Sequence, residues 1–295
     1  MPPLTISVII PAHNAAATIG ETLDSVFAQT HAPDEVIVVD DGSADETSAI
    51  LDGYDHRLRV IRQGQTGRAA ACNRGAKEAR SRLIAFLDAD DVWLPGKLER
   101  QLTECADAVL SYTNSTYFGE MVAKEIVKDD LTPQPSGDVL EALLLGNFIT
   151  GSSVVVRRDV FLECGGFDES YDCVQDWPLW LRICSQHQLG YVAEPLVRYR
   201  VHRAATTMKV RRTLPAHLRV LNEAFAPDGP AAHLGHLREQ AIAHAYQCVG
   251  FYASEAGDGP LTIRCAVASL RKSPMSVSNW KRLVKGGLLL VGCRF

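Results

Sequence analysis

The stretch Leu83-Ile84-Ala85-Phe86-Leu87-Asp88-Ala89-Asp90-Asp91 joins five consecutive apolar residues to a group of three carboxylates. An apolar run without polar alternation is typical of a strand that is buried on both faces, as in the middle of a parallel sheet. In an open α/β sheet, ligands bind beyond the carboxyl ends of the strands. The three acids are therefore expected at a ligand-binding edge of the sheet.

Neighbouring carboxylates repel one another, so a positive partner is expected beside Asp88, Asp90 and Asp91. Mg²⁺ and Mn²⁺ fit such a place, because these cations prefer a few carboxylate oxygens together with the oxygens of a phosphate substrate. The alternative is an acidic turn that caps the following helix, which is predicted over residues 93–104. Both interpretations stay open on this stretch alone.

The chain before this stretch alternates strands with helices. The predicted strands are residues 6–10, 35–39, 58–61 and 83–87, and an alanine-rich helix is predicted over residues 69–80. Two more helices are predicted to begin near Thr18 and Ser43, where a Glu three residues further on completes a capping-box pattern. This alternation predicts an α/β fold with a doubly wound, mostly parallel sheet and helices on both faces.

A second predicted strand also ends in acids, namely Asp40 and Asp41. The dinucleotide fingerprint G-x-G-x-x-G does not follow the first strand, and the P-loop pattern G-x-x-x-x-G-K-[ST] does not occur in the sequence. A nucleotide would therefore be held by a different device. Carboxylates at two strand ends indicate phosphate binding through a metal ion.

The composition argues against several classes of protein. The 35 Asp and Glu outnumber the 30 Lys and Arg, and a net charge of −5 disfavours a nucleic-acid binder, which needs positive charge to neutralise phosphates. Eight cysteines without a CxxC pair indicate reduced thiols of a cytosolic protein rather than a zinc site or a disulfide framework. Residues 4–10 lack a preceding basic region, so a strand is expected there rather than a signal peptide.

Further candidates lie in the second half of the chain. Residues 120–138 are polar and contain two prolines, which predicts a surface excursion. Asp176 stands two residues before Pro178 at the start of a predicted helix, which is typical of an N-cap. His202 follows a strand predicted over residues 196–200, and by itself it would be an ordinary surface histidine.

With these pieces in order, residues 6–202 resemble the family-2 glycosyltransferases, inverting enzymes of the GT-A fold that use nucleotide-sugar donors. The resemblance rests on seven motifs, each weak by itself and highly specific in their common order and spacing. They are Pro11-Ala12-His13-Asn14, Asp40-Asp41-Gly42-Ser43, Asn73-Arg74-Gly75, Asp88-Ala89-Asp90-Asp91, Gly165-Gly166-Phe167-Asp168, Gln175-Asp176-Trp177 and Tyr199-Arg200-Val201-His202.

The resemblance implies roles for residues near the nucleotide. Pro11, Ala12 and Asn14 would line the nucleotide pocket, Asp41 would accept a hydrogen bond from the base, such as a uracil N3–H, and Asn73 would contact the nucleotide sugar. Cys72 stands where the family commonly has an arginine. Arg68 is then expected to supply the missing positive contact.

The resemblance also implies a metal site and a catalytic base. Asp88 and Asp90 form the DxD motif, in which Asp90 would bind Mn²⁺ or Mg²⁺ directly and Asp88 would hold the ribose or a metal-bound water. His202 would be a further ligand of the metal or a contact of the diphosphate. Asp176 matches the catalytic base, which takes the proton of the acceptor hydroxyl. Gln175 stands where the family commonly has Glu, and this removes a second carboxylate.

From the resemblance we expect a GT-A domain over residues 1–204, with a nucleotide-binding half (1–112) and an acceptor-side half (113–204), and a helical extension over residues 205–295. The expected donor is a UDP-sugar, and the expected acceptor is a glycan or a lipid-linked glycan of the cell envelope. Residues 276–295 combine basic and apolar side chains and are expected either to contact the inner face of the membrane as an interfacial helix or to pack on the domain.

Other functions stay open on the sequence. A catalytically silent module that binds nucleotide sugars or glycans would keep the metal site without needing Asp176. A nucleotidyltransferase would share the acidic sheet edge, but it usually needs a glycine-rich basic loop where residues 12–15 offer none. A phospho-accepting signalling domain would need a lysine at a late strand end, and this sequence does not offer one.

Overall fold

The computed structural model describes residues 4–202, 210–272, 274 and 277–290 of the chain. The chain divides into two compact units, of which the first comprises Met1–Val139 and Phe148–His202 and the second comprises Leu140–Asn147 and Arg203–Phe295. The predicted domain boundary between residues 204 and 205 lies outside the described residues and stays a prediction.

The first unit is built on a nine-stranded mixed sheet. The strands are β1 (Ile6–Ala12), β2 (Glu35–Asp41), β3 (Arg59–Gln63), β4 (Leu83–Phe86), β5 (Val92–Trp93), β6 (Leu110–Phe118), β7 (Ile126–Val127), β8 (Val155–Arg157) and β9 (Leu189–Arg200). They lie in the order β3-β2-β1-β4-β8-β6-β9-β5, with β7 paired to β6 outside this path. β1 to β4 are parallel, as are β6 and β9, whereas β8 runs antiparallel to both of its neighbours. The predicted mostly parallel α/β sheet is confirmed.

Helices cover the sheet and form the second unit. They are α1 (Ile19–Phe27), α2 (Thr47–Asp52), α3 (Arg68–Glu78), α4 (Lys97–Glu104), α5 (Leu140–Leu145), α6 (Arg158–Glu163), α7 (Asp176–Cys184), α8 (Val210–Ala224), α9 (Arg238–Glu255), α10 (Gly259–Leu270) and α11 (Val277–Leu290). Of these, α5 and α8 to α11 belong to the second unit, in which Leu214, Val249, Ala253 and Cys265 form a small core.

The central strands are apolar on both faces because helices pack against each side of the sheet. On one face Val8 and Ala85 share a core with Leu23 of α1. On the other face α3 lies so close to β1 that a Cβ added at Gly75 would come 2.5 Å from Ile9. The apolar run of β4, which leads into the acidic turn, is therefore explained by burial on both faces of the sheet.

Two predicted elements differ clearly from the structure in their bounds. The helix predicted over residues 93–104 begins only at Lys97, because Val92–Trp93 pairs with β9 as a short strand. The strand predicted over 196–200 extends back to Leu189. β9 contains Pro195 opposite a register shift at Asn114, and this irregularity hides the strand from its sequence pattern.

Neither predicted capping box forms. The Thr18 hydroxyl donates instead to the carbonyl oxygen of Ala89 at 2.8 Å, and α2 begins at Thr47, four residues after Ser43. Thr22 donates to the same Ala89 carbonyl at 3.0 Å. The hydroxyls of α1 therefore fasten the acidic turn after β4 rather than the start of their own helix.

No helix in the described ranges has both the length and the apolar character needed to cross a bilayer. The described cysteines are free thiols.

Candidate active site

The turn after β4 brings the carboxylates of the DxD motif to the carboxyl edge of the sheet. Asp88 Oδ1 accepts a hydrogen bond from Arg68 Nε at 2.7 Å, and the Asp88 N–H donates to Ser152 Oγ at 3.1 Å. Asp90 Oδ2 lies 2.9 Å from His202 Nε2. The structure therefore places four predicted site residues, Arg68, Asp88, Asp90 and His202, at one edge of the first unit.

The third acid of the turn, Asp91, points into the protein. Its side chain is buried and accepts hydrogen bonds from Ser152 Oγ at 2.5 Å and from the Arg200 N–H at 2.8 Å. Arg200 also donates through Nε to the carbonyl of Asp90 at 2.7 Å, and its guanidinium forms an ion pair with Glu21. Asp91 and Arg200 together fasten the DxD turn to the end of β9.

The charges at this edge repel one another strongly. Burial and the charge of Asp88 raise the pKa of Asp90, although the hydrogen bond with His202 opposes them. Burial raises the pKa of Asp91 well above its ordinary value, and the charges of Asp90 and Asp88 add to this rise. Burial and the same three carboxylates raise the pKa of Tyr199. A cation bound here would relieve this excess of negative charge.

The predicted metal set is only partly assembled. No group of three or more His, Cys, Asp or Glu side chains in the described part of the chain is arranged to hold a metal ion. Asp90 and His202 face each other, whereas Asp88 is paired with Arg68. The oxygen and imidazole donors fit a divalent cation that takes its other ligands from a diphosphate and water, as Mg²⁺ commonly does.

Arg68 links the DxD motif to Asp176. It is the first residue of α3 and follows Gly67, whose φ of 100° is in the left-handed region that favours glycine. Burial would lower the pKa of Arg68, but Asp88 and, more weakly, Asp176 raise it above its ordinary value. Both carboxylates therefore lie within electrostatic reach of one guanidinium.

Asp176 occupies the first position of α7, and Gln175 is the N-cap residue. The interpretation of Asp176 as the N-cap is therefore wrong, because the helix begins one residue earlier than that interpretation requires. A carboxylate in the first turn of a helix still benefits from the positive end of the helix dipole.

Lys128 is a site residue that sequence reasoning missed. It opens a short 3₁₀ helix, Lys128–Asp130, inside the segment predicted as a surface excursion. Its Nζ donates to the carbonyl of Phe148 at 2.6 Å and to Thr150 Oγ1 at 2.8 Å. Burial lowers the pKa of Lys128 to about 8, and the charge of Asp176 opposes this shift. A lone lysine in a polar segment gave no signal of this position.

The predicted nucleotide pocket lies after β1 and β2. Pro11 and Ala12 are buried at the end of β1. Asn14 has a φ of 49°, and its Oδ1 accepts a hydrogen bond from the Ala44 N–H at 2.8 Å. The Asn14 N–H donates to Ser43 Oγ at 3.0 Å. Asn14 therefore ties the turn after β1 to the turn after β2.

Asp41 is held by the turn at residues 63–67. Its Oδ1 accepts hydrogen bonds from Gln63 Nε2 and from the N–H and hydroxyl of Thr66, and its Oδ2 accepts one from the Gly67 N–H at 2.7 Å. Burial would raise the pKa of Asp41, but these hydrogen bonds outweigh it and lower the pKa. Asp41 therefore organises the turn that precedes Arg68, in addition to its predicted contact with a base.

Asn73 is a brace between α3 and the segment after α6. Its Nδ2 donates to the Phe167 carbonyl at 2.8 Å and to Glu169 Oε1 at 2.9 Å, and its Oδ1 accepts from the Phe167 N–H at 2.9 Å. A Cβ added at Gly166, whose φ is 68°, would come 2.6 Å from Asn73 Oδ1. Because protein groups engage the amide at both ends, Asn73 has a structural role here, and its predicted contact with the nucleotide sugar stays a prediction.

Known sequences are similar to this chain. The family model described as Glycosyl transferase family 2 matches residues 7–164. TuaG of Bacillus subtilis (strain 168), named for teichuronic acid biosynthesis, is 44% identical over 202 residues, which cover 66% of this chain and 79% of TuaG. WfgD of Escherichia coli, named as a UDP-Glc:alpha-D-GlcNAc-diphosphoundecaprenol beta-1,3-glucosyltransferase, is 32% identical over 190 residues, which cover 63% of this chain and 72% of WfgD.

The lengths of other relatives differ from that of this chain. The match covers 65% of the length of uncharacterised glycosyltransferases from Rickettsia prowazekii and Rickettsia typhi, at 28% and 29% identity. In three further Rickettsia relatives it covers 31% to 35% of the length. The chain therefore spans less than two thirds of these curated relatives.

Solved structures establish the fold. TarS of S. aureus in complex with UDP-GlcNAc superposes with a TM-score of 0.63 at 14% identity, covering 99% of this chain and 93% of that chain. The mannosyltransferase PcManGT of Pyrobaculum calidifontis, in complex with GDP-Man and Mn²⁺, superposes with a TM-score of 0.59 at 19% identity, covering 97% of this chain and 84% of that chain. The fold is of the GT-A type, as the sequence predicted.

Proposed function

Because this chain belongs to glycosyl transferase family 2, we propose that it is an inverting, metal-dependent glycosyltransferase that moves a hexose or N-acetylhexosamine from a UDP-sugar to a hydroxyl of a growing glycan. One observation carries the proposal. Asp88 after β4, Arg68 at the start of α3 and Asp176 at the start of α7 converge, since Arg68 is hydrogen-bonded to Asp88 and interacts electrostatically with Asp176.

In the proposed reaction Asp176 is the general base. It takes the proton of the acceptor hydroxyl as that oxygen attacks the anomeric carbon from the face opposite the diphosphate. The new bond forms on the face opposite the breaking one, and the configuration inverts. Positioning at the first turn of α7 fixes the direction from which the base approaches the acceptor.

The departing diphosphate needs positive charge nearby. Arg68 is placed to supply a fixed charge, because its pKa lies above its already high ordinary value. Asp90 and His202, with Asp88 beside them, would hold Mg²⁺ or Mn²⁺, which supplies Lewis-acid assistance to a leaving group when bound. The Asp90–His202 contact and the crowded carboxylates support this cofactor proposal.

Relatives favour a UDP-sugar donor and a lipid-linked glycan acceptor. WfgD is named for a UDP-glucose donor and a diphosphoundecaprenol acceptor, and TarS has been solved with UDP-GlcNAc. PcManGT instead binds GDP-Man, so a guanine nucleotide belongs in any donor screen. An acceptor of the cell envelope would place the protein at the inner face of the membrane.

α11 supports the proposed membrane contact. Trp280, Val284 and Leu288 recur every four residues on this helix and all three are exposed. Apolar side chains at this spacing lie on one face, and lysine or arginine beside them attracts anionic lipid headgroups. Lys281 and Arg282 follow Trp280 directly. Arg294 and residue 291, which belong to the predicted segment, lie outside the described residues.

The test is an Asp176→Asn variant of the full chain, compared with Asp172→Asn, which changes an exposed acid of the same segment. Release of the nucleoside diphosphate, UDP or GDP, is measured with UDP-glucose, UDP-GlcNAc and GDP-mannose as donors and a lipid-linked glycan as acceptor in the presence of Mn²⁺, and UDP binding is measured by thermal shift. Loss of the base is expected to lower kcat at least about 100-fold while UDP binding persists. Unchanged turnover in Asp176→Asn would refute the base, and binding without turnover in the wild type would favour a silent nucleotide-sugar-binding module.

A further inference from the structure

Lys128 is half-buried next to β6, in a cluster with two buried polar residues. β7 pairs antiparallel with β6, with Val127 opposite Thr116, so the chain reaches Lys128 alongside Ser115. Ser115 Oγ lies 3.2 Å from Thr150 Oγ1, and both residues are buried. Lys128 Nζ donates to the same Thr150 hydroxyl oxygen. The amine therefore joins β6, the 3₁₀ helix and residues 148–153, which we call the 148–153 loop.

One of the three N–H groups of the Lys128 ammonium is not used within this cluster. A protonated lysine has three N–H groups, and those of Lys128 reach two protein acceptors, the Phe148 carbonyl and the Thr150 hydroxyl. The third has no acceptor at hydrogen-bonding distance among the residues that the structure describes. The carboxylate charge that acts on the ammonium is that of Asp176.

The 148–153 loop also contacts the donor side of the site. A Cβ added at Gly151 would lie 3.2 Å from Arg68 Nη2, so the loop backbone closely approaches that guanidinium. Ser152 accepts the Asp88 N–H and donates to Asp91. Lys128 and Arg68 therefore approach the same loop, and both act electrostatically on Asp176.

We propose that Lys128 is a positioning residue, whose ammonium group fixes the 148–153 loop beside Arg68 and, together with Arg68, acts through its charge on the Asp176 carboxylate. Its role is to aim the base at the acceptor hydroxyl, and it touches neither the donor nor the reacting atoms. The inference rests on the proposed function, since it takes Asp176 as the base.

This role makes the reaction sensitive to the charge of Lys128. The charged or titratable groups around the cluster are Asp176 on α7, Arg68 on α3, Tyr112 on β6, Tyr191 on β9, and Asp129 and Asp130 on the 3₁₀ helix. Asp129 is hydrogen-bonded to Tyr191. Because the pKa of Lys128 is about 8, its ammonium loses its proton as pH rises through that value, whereas an arginine would stay charged.

The experiment measures kcat, donor KM and UDP affinity of the full chain between about pH 6 and pH 10, around the lysine titration range. The variants are Lys128→Met, Lys128→Arg and the control Lys124→Met, which changes an exposed lysine of the same segment. Lys128→Met is expected to lower kcat about tenfold or more at pH 7, with donor KM and UDP affinity within about twofold of wild type. Wild-type kcat is expected to fall above about pH 8, and Lys128→Arg is expected to shift that fall to higher pH.

The inference is overturned if Lys128→Met keeps the wild-type kcat, or if this variant raises the donor KM and leaves kcat unchanged. It is also overturned if Lys128→Arg loses activity at the same alkaline pH as the wild type. If Lys128→Met does not fold, the pH profile of Lys128→Arg tests the inference by itself, through whether the alkaline fall in kcat moves to higher pH. An active wild type with unaffected variants contradicts only this inference. A wild type that binds UDP but transfers no sugar contradicts the proposed function and this inference with it.

Discussion

Lys97 places an amine in the interior of the first unit without a hydrogen-bond partner among the described residues. The side chain is 0% exposed, and its Nζ lies 3.9 Å from the centroid of the Trp93 ring. Burial lowers the pKa of Lys97 well below its ordinary value. Burial therefore disfavours the charged form of this amine, and the face of the Trp93 indole lies against it.

Replacing Lys97 by Met is expected to stabilise the protein. An unfolded lysine titrates near pH 10.4, about the reference value, and the native pKa is lower, so the unfolded state binds more protons between the two values. The wild-type free energy of unfolding should therefore rise with pH through this window. Lys97→Met removes the titration, so its advantage should be about 1 kcal/mol or more at pH 7, or about 2–4 °C in Tm, and should shrink toward pH 10.

Urea unfolding of both proteins at several pH values measures this difference. Lys77→Met, which changes an exposed lysine on α3, is the control and should follow the wild-type curve. A Lys97→Met variant that is less stable than the wild type at every pH would mean that the amine is bound in a way that the native structure needs.

Single residues with a strong chemical motif could be predicted from the sequence, and those defined by their neighbours could not. Arg68, Asp88, Asp90 and His202 were all named from the pattern, and they lie at one edge of the sheet. Asn73 belongs to a motif too, but its partners, the Phe167 backbone and the Glu169 side chain, lie 94 and 96 residues later in the chain. Such a partner is set by packing, which no local pattern records.

At the level of elements, the 148–153 loop is the support of the DxD turn. Ser152 uses its hydroxyl twice, as acceptor for the Asp88 N–H and as donor to the buried Asp91, and its carbonyl accepts Trp93 Nε1 at 2.7 Å. Ser153, the next residue, is equally buried, but its hydroxyl donates only within the loop, to the Thr150 carbonyl at 2.7 Å. Ser152 therefore supports the DxD turn, whereas the Ser153 hydroxyl stabilises only the loop itself.

Ser152→Ala is expected to lower the free energy of unfolding by about 1–3 kcal/mol, because Asp91 loses a donor in a buried place. It should also weaken UDP binding, since the Asp88 backbone loses its anchor. Ser153→Ala should lower the free energy of unfolding by about 1 kcal/mol and leave UDP affinity unchanged. Denaturant unfolding and UDP titration of both variants test this. Equal loss of UDP affinity in the two would assign the effect to the loop as a whole.

Elements were predictable where burial and pattern agree. β1, β2 and β4 are apolar on both faces and were found within a residue or two of their bounds. β5 and most of β9 were missed because they are held by strand pairing across a long separation, with Val92 opposite Arg198 and Trp93 opposite Val197. The segment at residues 120–138 looked like a surface loop, yet the backbone pairing of β7 brings Lys128 to the site.

For the whole molecule, the alternation of strands and helices was enough to predict the α/β class. The strand order β4-β8-β6-β9 was not predictable in the same way, because antiparallel β8 enters the sheet between strands that are distant in sequence. This order decides that residues from both halves of the first unit share one edge. The shared edge is what gives Asp176 a place near Arg68.

Charge is distributed unevenly over the whole chain, and this leads to a prediction about the membrane. The net charge is −5, yet residues 271–295 contain six Lys or Arg and no Asp or Glu. α11 adds an apolar stripe to this basic segment, with Trp280 53% and Val284 64% exposed. An anionic surface should therefore attract this part of the molecule, by about 1 kcal/mol for each basic residue near the headgroups, while it repels the rest.

Flotation of the full chain with vesicles tests this. Recovery should be high with vesicles of phosphatidylglycerol and phosphatidylcholine, low with phosphatidylcholine alone, and reduced by salt. The double change Trp280→Ser and Val284→Ser should lower recovery severalfold, because it removes the side chains that would enter the interface. A matched double change of exposed apolar residues in the first unit, Leu131→Ser and Ile126→Ser, should leave recovery unchanged. If both double variants float as well as the wild type, α11 is not the contact, and its exposed stripe needs another explanation.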